Sequence, residues 1–262
     1  MLKKILLTVI FLMFSMQVSK SYTPDYFDVD FNNYLLRMLT RFKYVELNAT
    51  EFSKKYTLTQ YFLNSDPVKM TGFIGNELER IKVKINSAQQ DTSNPGIYKI
   101  SGLTKVDKNI SAFNGSVKIR SVYEFQEPIT KHGLVICRFA SELKEEGSGP
   151  HKGKFVGDYY LVMSKVVEDV RFAKVTPHFL KNHSFAGCWK SANGKIIYPA
   201  YWGEDYVLED LEDVFYGITQ FSPLAPAVID KSWKSYLEAY TEGTDEEIRS
   251  KALELEQEIW WE

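Results

Sequence analysis

From about Thr71 to Tyr198, apolar and polar residues alternate with a period of two; on either side the spacing lengthens to that of a helix. Ile81, Val83 and Ile85 interleave with Lys82 and Lys84, whose charges are expected on the wet face of a sheet. Val117, Ile119, Tyr123 and Phe125 share one face of another strand, and Gly96–Gly102 is a strand bracketed by turn residues. Gly133–Phe139 (GLVICRF) is a nearly continuous apolar run, as expected for a central strand covered on both sides. Further strands are predicted over Lys154–Met163 and Lys165–Ala173, with Glu145–Gly153 as an exposed loop. Asn193-Gly194 has the residues of a tight hairpin turn and joins Cys188–Lys190 to Ile196–Tyr198. Strands at this spacing, without intervening helices, predict a mainly β fold: an antiparallel sandwich or partly open barrel.

The flanks read differently. Asp30–Lys43 predicts a helix with Phe31, Leu35, Met38, Leu39 and Phe42 on one face; Thr50–Asn64 is ambiguous, with a second helix favoured. Asp66-Pro67 ends that region. Near the C-terminus, Asp230 is positioned to cap a helix carrying Trp233, Leu237 and Tyr240 that stops at Gly243. Thr244 with Glu247 has capping-box spacing, and Ile248, Ala252, Leu255 and Ile259 line one face of a last helix. Trp260 and Trp261 are expected to dock that helix on its own sheet. Met1–Ser21 pairs a Lys-Lys start with a short apolar run, and Ser19 and Ser21 have the spacing of a cleavage site. The expected organisation is a signal peptide over 1–21 and a single β-rich domain over 22–262. Within it lie a helical segment (22–66), a β core (67–223) and a helical tail (224–262).

Of the 262 residues, 44% are hydrophobic and 25% charged, enough for one substantial core and unlike a disordered chain. Losing Lys3, Lys4 and Lys20 with the signal segment moves the formal charge from −2 to −5. A net acidic chain without a clustered basic stripe argues against nucleic-acid binding. Beyond the signal segment no run approaches the ~20 apolar residues of a membrane-spanning helix.

Cys137 and Cys188 are the only cysteines. Three roles stand open: a disulfide in an oxidising compartment, buried thiols packed as small hydrophobes, or, least supported, a nucleophile. Gly187-Cys188-Trp189 resembles the Gly-x-Trp of lipocalins, where the Trp closes the base of a ligand-holding barrel. There it sits on the first strand; here it follows most of the strands, so Trp189 reads as core. His132, His151, His178 and His183 show no metal-ligand spacing, and no phosphate loop, dinucleotide fingerprint or Gly-x-Ser-x-Gly occurs, so no cofactor or metal is expected. Asn48, Asn109, Asn114 and Asn182 begin Asn-x-Ser/Thr triplets, which matter only in a eukaryotic secretory pathway. The acidic run Gly203–Asp213 could hold calcium or supply a glycosidase carboxylate pair; its interleaved Val207, Leu208, Leu211 and Val214 read as a helix with a solvated face. Tyr201, Trp202, Glu204, Asp205 and Tyr206 are the candidate binding residues, since sugars stack on exposed aromatic rings.

Gly153-x-Phe155, Tyr159-Tyr160, Phe185-x-Gly187-x-Trp189-x-Ser191, Trp202-Gly-Glu-Asp-Tyr206 and Phe221-Ser-Pro223 follow one another over residues 152–223. In this order they resemble a group of uncharacterised exported β-rich proteins of the Bacteroidota type. That resemblance implies a periplasmic or extracellular location and a β-rich fold. It implies no catalytic site, and Thr often stands in the group where Cys188 stands here, against an essential thiol. The leading functional expectation is an exported, non-catalytic envelope protein that binds a macromolecule or a small ligand. The rivals are a hydrolase of glycan or another envelope polymer, resting on Glu204–Asp213, and a calycin-like carrier of an apolar ligand.

Overall fold

A computed structural model describes residues 39–68, 70–126, 133–149, 152–166, 171–173, 183–204, 232–240 and 243–262. The described residues form ten strands: β1 (Tyr44–Leu47), β2 (Met70–Ile74), β3 (Glu79–Gln90), β4 (Ile97–Val106), β5 (Asn109–Phe125), β6 (Leu134–Glu145), β7 (Gly153–Val166), β8 (Arg171–Ala173), β9 (His183–Ser191) and β10 (Ile197–Glu204). Four helices accompany them: α1 (Ala49–Lys55), α2 (Thr59–Leu63), α3 (Lys234–Tyr240) and α4 (Glu246–Glu256). The signal segment, most of the Asp30–Lys43 helix, Asp230 and the 205–231 stretch lie outside the described residues.

Each strand from β2 through β7, then β9 and β10, pairs antiparallel with the next one in this series. β10 returns to β2, with Ala200 opposite Ile74 and Glu204 opposite Met70. The result is a closed eight-stranded up-and-down barrel, a form that leaves no sheet edge along the paired stretches. β1 continues alongside β5 past the end of β4, and β8 continues alongside β7 past the end of β9. Closing a barrel needs sharp strand coiling, and glycines permit it where strands come close. Gly157 and Gly187 face each other across β7 and β9; a Cβ on Gly187 would lie 2.3 Å from the Val156 carbonyl oxygen.

The alternation predicted from sequence holds along the strands. Val117, Phe139, Phe155, Phe185 and Trp202 turn into the lumen and are buried there. On the outer wall, Phe125, Leu134, Ile136, Tyr160 and Val162 form a second cluster against Leu39 and Phe42, so β6 is covered on both faces as expected.

The Lys82 face of β3 departs from expectation. Arg80 is buried: its guanidinium forks onto Glu256 of α4, with Nη1 2.8 Å from Oε1, and its Nε donates to Thr71 Oγ1 at 3.0 Å. Trp233 and Tyr236 lie over the same guanidinium, and Trp233 Nε1 donates to the Leu78 carbonyl at 2.8 Å. The helical tail therefore straps the outer wall that the lysine alternation assigned to water. Arg80 and Glu256 lie 176 residues apart in sequence, and no local pattern records the docking.

Two details of the tail also differ from the sequence reading. Asp245, not Thr244, caps α4, accepting from the Glu247 and Ile248 amides. Ala252 and Glu256 face inward while Ile248 and Leu255 are exposed, because α4 is seated by an ion pair rather than by its apolar stripe. Trp260 is buried and Lys84 of β3 lies over the Trp261 ring, so the pair does dock on its own sheet. Among the described residues no helix is long and apolar enough to cross a membrane.

Candidate functional site: the two ends of the lumen

The barrel has unlike ends. At the hairpin end, the β2–β3, β4–β5, β6–β7 and β9–β10 turns gather; Gly194 there takes φ +69° in the predicted Asn193-Gly194 turn. Trp189 closes this end from inside. Its ring stacks on Tyr198 at 5.8 Å, and its indole N–H donates to Glu145 Oε2 at 2.8 Å. The Gly153 amide donates to the same oxygen at 3.1 Å. Trp189 thus fills the base of the barrel from the next-to-last barrel strand.

The other end holds the residues with chemistry. There β2 begins, β9 begins and β10 finishes, which brings Glu204 and His183 onto neighbouring strands at one rim. Tyr159 OH lies 3.2 Å from His183 Nδ1, and His183 Nε2 lies 3.8 Å from Glu204 Oε2. Glu204 Oε1 accepts the Asp66 amide at 3.0 Å. All three side chains are buried, Glu204 at 0% exposure. Burial, and then the negative charge of Glu204, push the Tyr159 phenol well above its ordinary pKa. The phenol and the imidazole share one hydrogen bond, and Nε2 is the ring nitrogen that faces Glu204.

An aromatic wall adjoins this chain of polar groups. Trp202 stacks on Phe185 with centroids 4.0 Å apart, and Phe155 meets Trp202 edge-on at 5.1 Å. The Trp202 indole N–H is buried without an acceptor among the described residues. Phe62 of α2 enters the lumen from this end and touches rings from three strands: Tyr98 at 5.2 Å, Phe139 at 5.5 Å and Tyr159 at 5.6 Å. Tyr98 OH accepts from the Leu58 amide at 3.2 Å and from Gln90 Nε2 at 3.1 Å; burial pushes its pKa up to about 12.

Strand alternation separates the residues named as a binding platform. Tyr201 points outward and stacks on Phe73, Trp202 points into the lumen, and both are buried. Tyr201 and Trp202 form no shared exposed surface for a sugar. Glu204 also turns inward, while Asp205 and Tyr206 lie outside the described residues. Cys137 and Cys188 are not joined in a disulfide. Cys137 packs in the lumen, whereas Cys188 alternates with the inward Trp189 and so lies on the outer wall, its Sγ 3.6 Å from the Val156 carbonyl. A disulfide between them would have to pass through the sheet, so the pairing does not form. Burial pushes the Cys137 thiol well up, the opposite of what a nucleophile needs.

His183 and Tyr159 were missed as site residues, although a signal existed. His183 shares the parity of Phe185 and Trp189 on one strand, and Tyr159 that of Phe155 on another. Once Trp189 is read as core, both must face the lumen. No family model, curated protein or solved structure matches the chain. Fold and site together define its class: a closed, eight-stranded meander barrel with a filled lumen and a polar cluster at one rim.

Proposed function

We propose that the protein is an exported, non-catalytic binding barrel that holds a small ligand at the rim formed by Tyr159, His183, Trp202 and Glu204. The observation that carries this reading is the Tyr159–His183–Glu204 chain buried beside an aromatic wall inside a closed barrel. Ligand sites are largely apolar, with a few convergent polar groups that fix orientation. Export rests on the Met1–Ser21 segment, and an envelope setting on the resemblance of residues 152–223.

Native mass spectrometry of the protein purified from its own host tests the proposal. The expected result is a bound mass that leaves on denaturation. A bare polypeptide mass in every gentle preparation would remove the binding reading.

A further inference from the structure

We infer that residues 56–66 are a displaceable plug seated in the ligand site itself, and that the ligand is an apolar ring joined by a flexible polar linker to a protonated amine. This deepens the binding reading above and rests on it.

Two groups of the plug mark where the ligand's two ends belong. The Phe62 ring occupies a box made by Tyr98, Phe139 and Tyr159, contributed by β4, β6 and β7. Rings from three separate strands converging on one inserted ring form a pocket for any flat apolar group. Four residues on, the Asp66 amide donates to Glu204 Oε1 at 3.0 Å. An ammonium offers that carboxylate a charge-assisted bond, roughly twice as strong as one from a neutral donor. Trp202 lies level with Tyr159 of the box, through Phe185, and an acceptor in the linker would give its indole N–H the partner it lacks among the described residues.

The plug is built to leave as a unit. α2 has five residues and no side-chain hydrogen bond at its N-cap; α1 has seven. Helices this short do not persist alone. The wall holds the plug instead: Tyr98 OH accepts the Leu58 amide, Glu204 accepts the Asp66 amide, and the Leu58 and Phe62 side chains are buried in the core. A ligand that takes the Phe62 box and Glu204 removes two of the plug's attachments at once.

Dansylcadaverine is the probe, a naphthalene ring linked through a sulfonamide and a five-carbon chain to a primary amine. Its control is the dansyl amide of 6-aminohexanoate, which ends in a carboxylate at similar reach. Emission is titrated with the wild-type chain, Phe62→Ala, Phe62→Leu and Phe62→Ala/Glu204→Gln, each first checked for native circular dichroism. Vacating the box should tighten amine binding by at least about tenfold, because the closed state no longer competes with the ligand. The Glu204→Gln change should reverse that gain, and the carboxylate control should show none. If Phe62→Ala does not fold, Phe62→Leu decides by the same criteria with a smaller gain. A folded variant that binds no tighter, or that gains equally for amine and carboxylate, overturns the inference.

The two readings fail separately. A host-purified protein that carries a ligand while the Phe62 variants gain nothing leaves the binding barrel standing and removes the plug. A gain in the variants with an always-empty host protein keeps the amine site under the plug and removes only the resident ligand.

Discussion

The hairpin end and the plug end close the same barrel by different means. At the hairpin end the closing ring, Trp189, belongs to a barrel strand, and its N–H is held by Glu145 on another. Opening it would require breaking the sheet. At the plug end the closing ring, Phe62, belongs to a short helix outside the barrel's hydrogen-bonded ladder. A ring within a ladder cannot leave without its strand, whereas a short segment held by two hydrogen bonds to wall side chains and by the burial of Leu58 and Phe62 can leave when a ligand replaces those contacts. The difference assigns rigidity to one end and exchange to the other.

The largest expected effect comes from attacking the rigid end. Trp189→Ala removes a buried ring and leaves Glu145 Oε2 with the Gly153 amide alone, and should cost about 4 kcal/mol in urea unfolding. It should bring no gain in dye binding; a gain equal to that of Phe62→Ala would erase the distinction between the ends. The outer strap supplies a control that belongs to neither end. Arg80→Ala leaves Glu256 buried without its fork and should cost about 3 kcal/mol, measured the same way.

The strap also gives a pH dependence. Burial raises the Glu256 carboxyl pKa, but the hydrogen bonds and charge of Arg80, with Ser235 and Lys82, outweigh it, so the net shift is downward from 4.5. A depressed folded value means stability that is present above 4.5 and lost as pH falls through the lower folded value. Unfolding midpoints followed into acid should fall in the wild type and fall less steeply in Arg80→Ala. Equal slopes would contradict the sign worked out here.

Smaller effects sharpen the plug end. Phe62→Ala empties the aromatic box and should cost about 3 kcal/mol while improving amine binding, a pairing that Trp189→Ala lacks. Asn48 caps α1, accepting from the Thr50 and Glu51 amides at 3.0 and 3.1 Å. Asn48→Ala should cost about 1 kcal/mol by urea unfolding. It should also speed hydrogen exchange in 49–63 more than in 183–191.

Much of the wall was legible in the sequence because alternation is a local property. Val117–Phe125, Gly133–Phe139 and the Asn193-Gly194 turn all appear as strands and hairpin where the pattern placed them. Closure was not legible, since the pairing of Met70–Ile74 with Ala200–Glu204 joins segments more than a hundred residues apart without any shared local signature. The strap was misread for a related reason. Arg80, Lys82 and Lys84 look solvated until a distant Glu256 and a tryptophan pair are brought over them.

The site was half legible. Glu204 and Trp202 both stand out in the sequence as candidate binding residues, but as parts of an exposed platform rather than as groups inside a barrel. Parity along β10 decides their inward direction, and parity could have been counted from Trp189 across the Asn193-Gly194 hairpin. Phe62 could not have been found in this way. Thr50–Asn64 has helical spacing, and nothing in it says that the helix enters a barrel.

Hydrogen exchange of the wild-type chain, with and without dansylcadaverine, tests the asymmetry of the ends most directly. Amides in 56–66 should exchange faster when the amine is bound, because the plug has left, while those in 184–191 should be unchanged. Slower exchange in 56–66, or equal change in both segments, would contradict a barrel that opens at one end only.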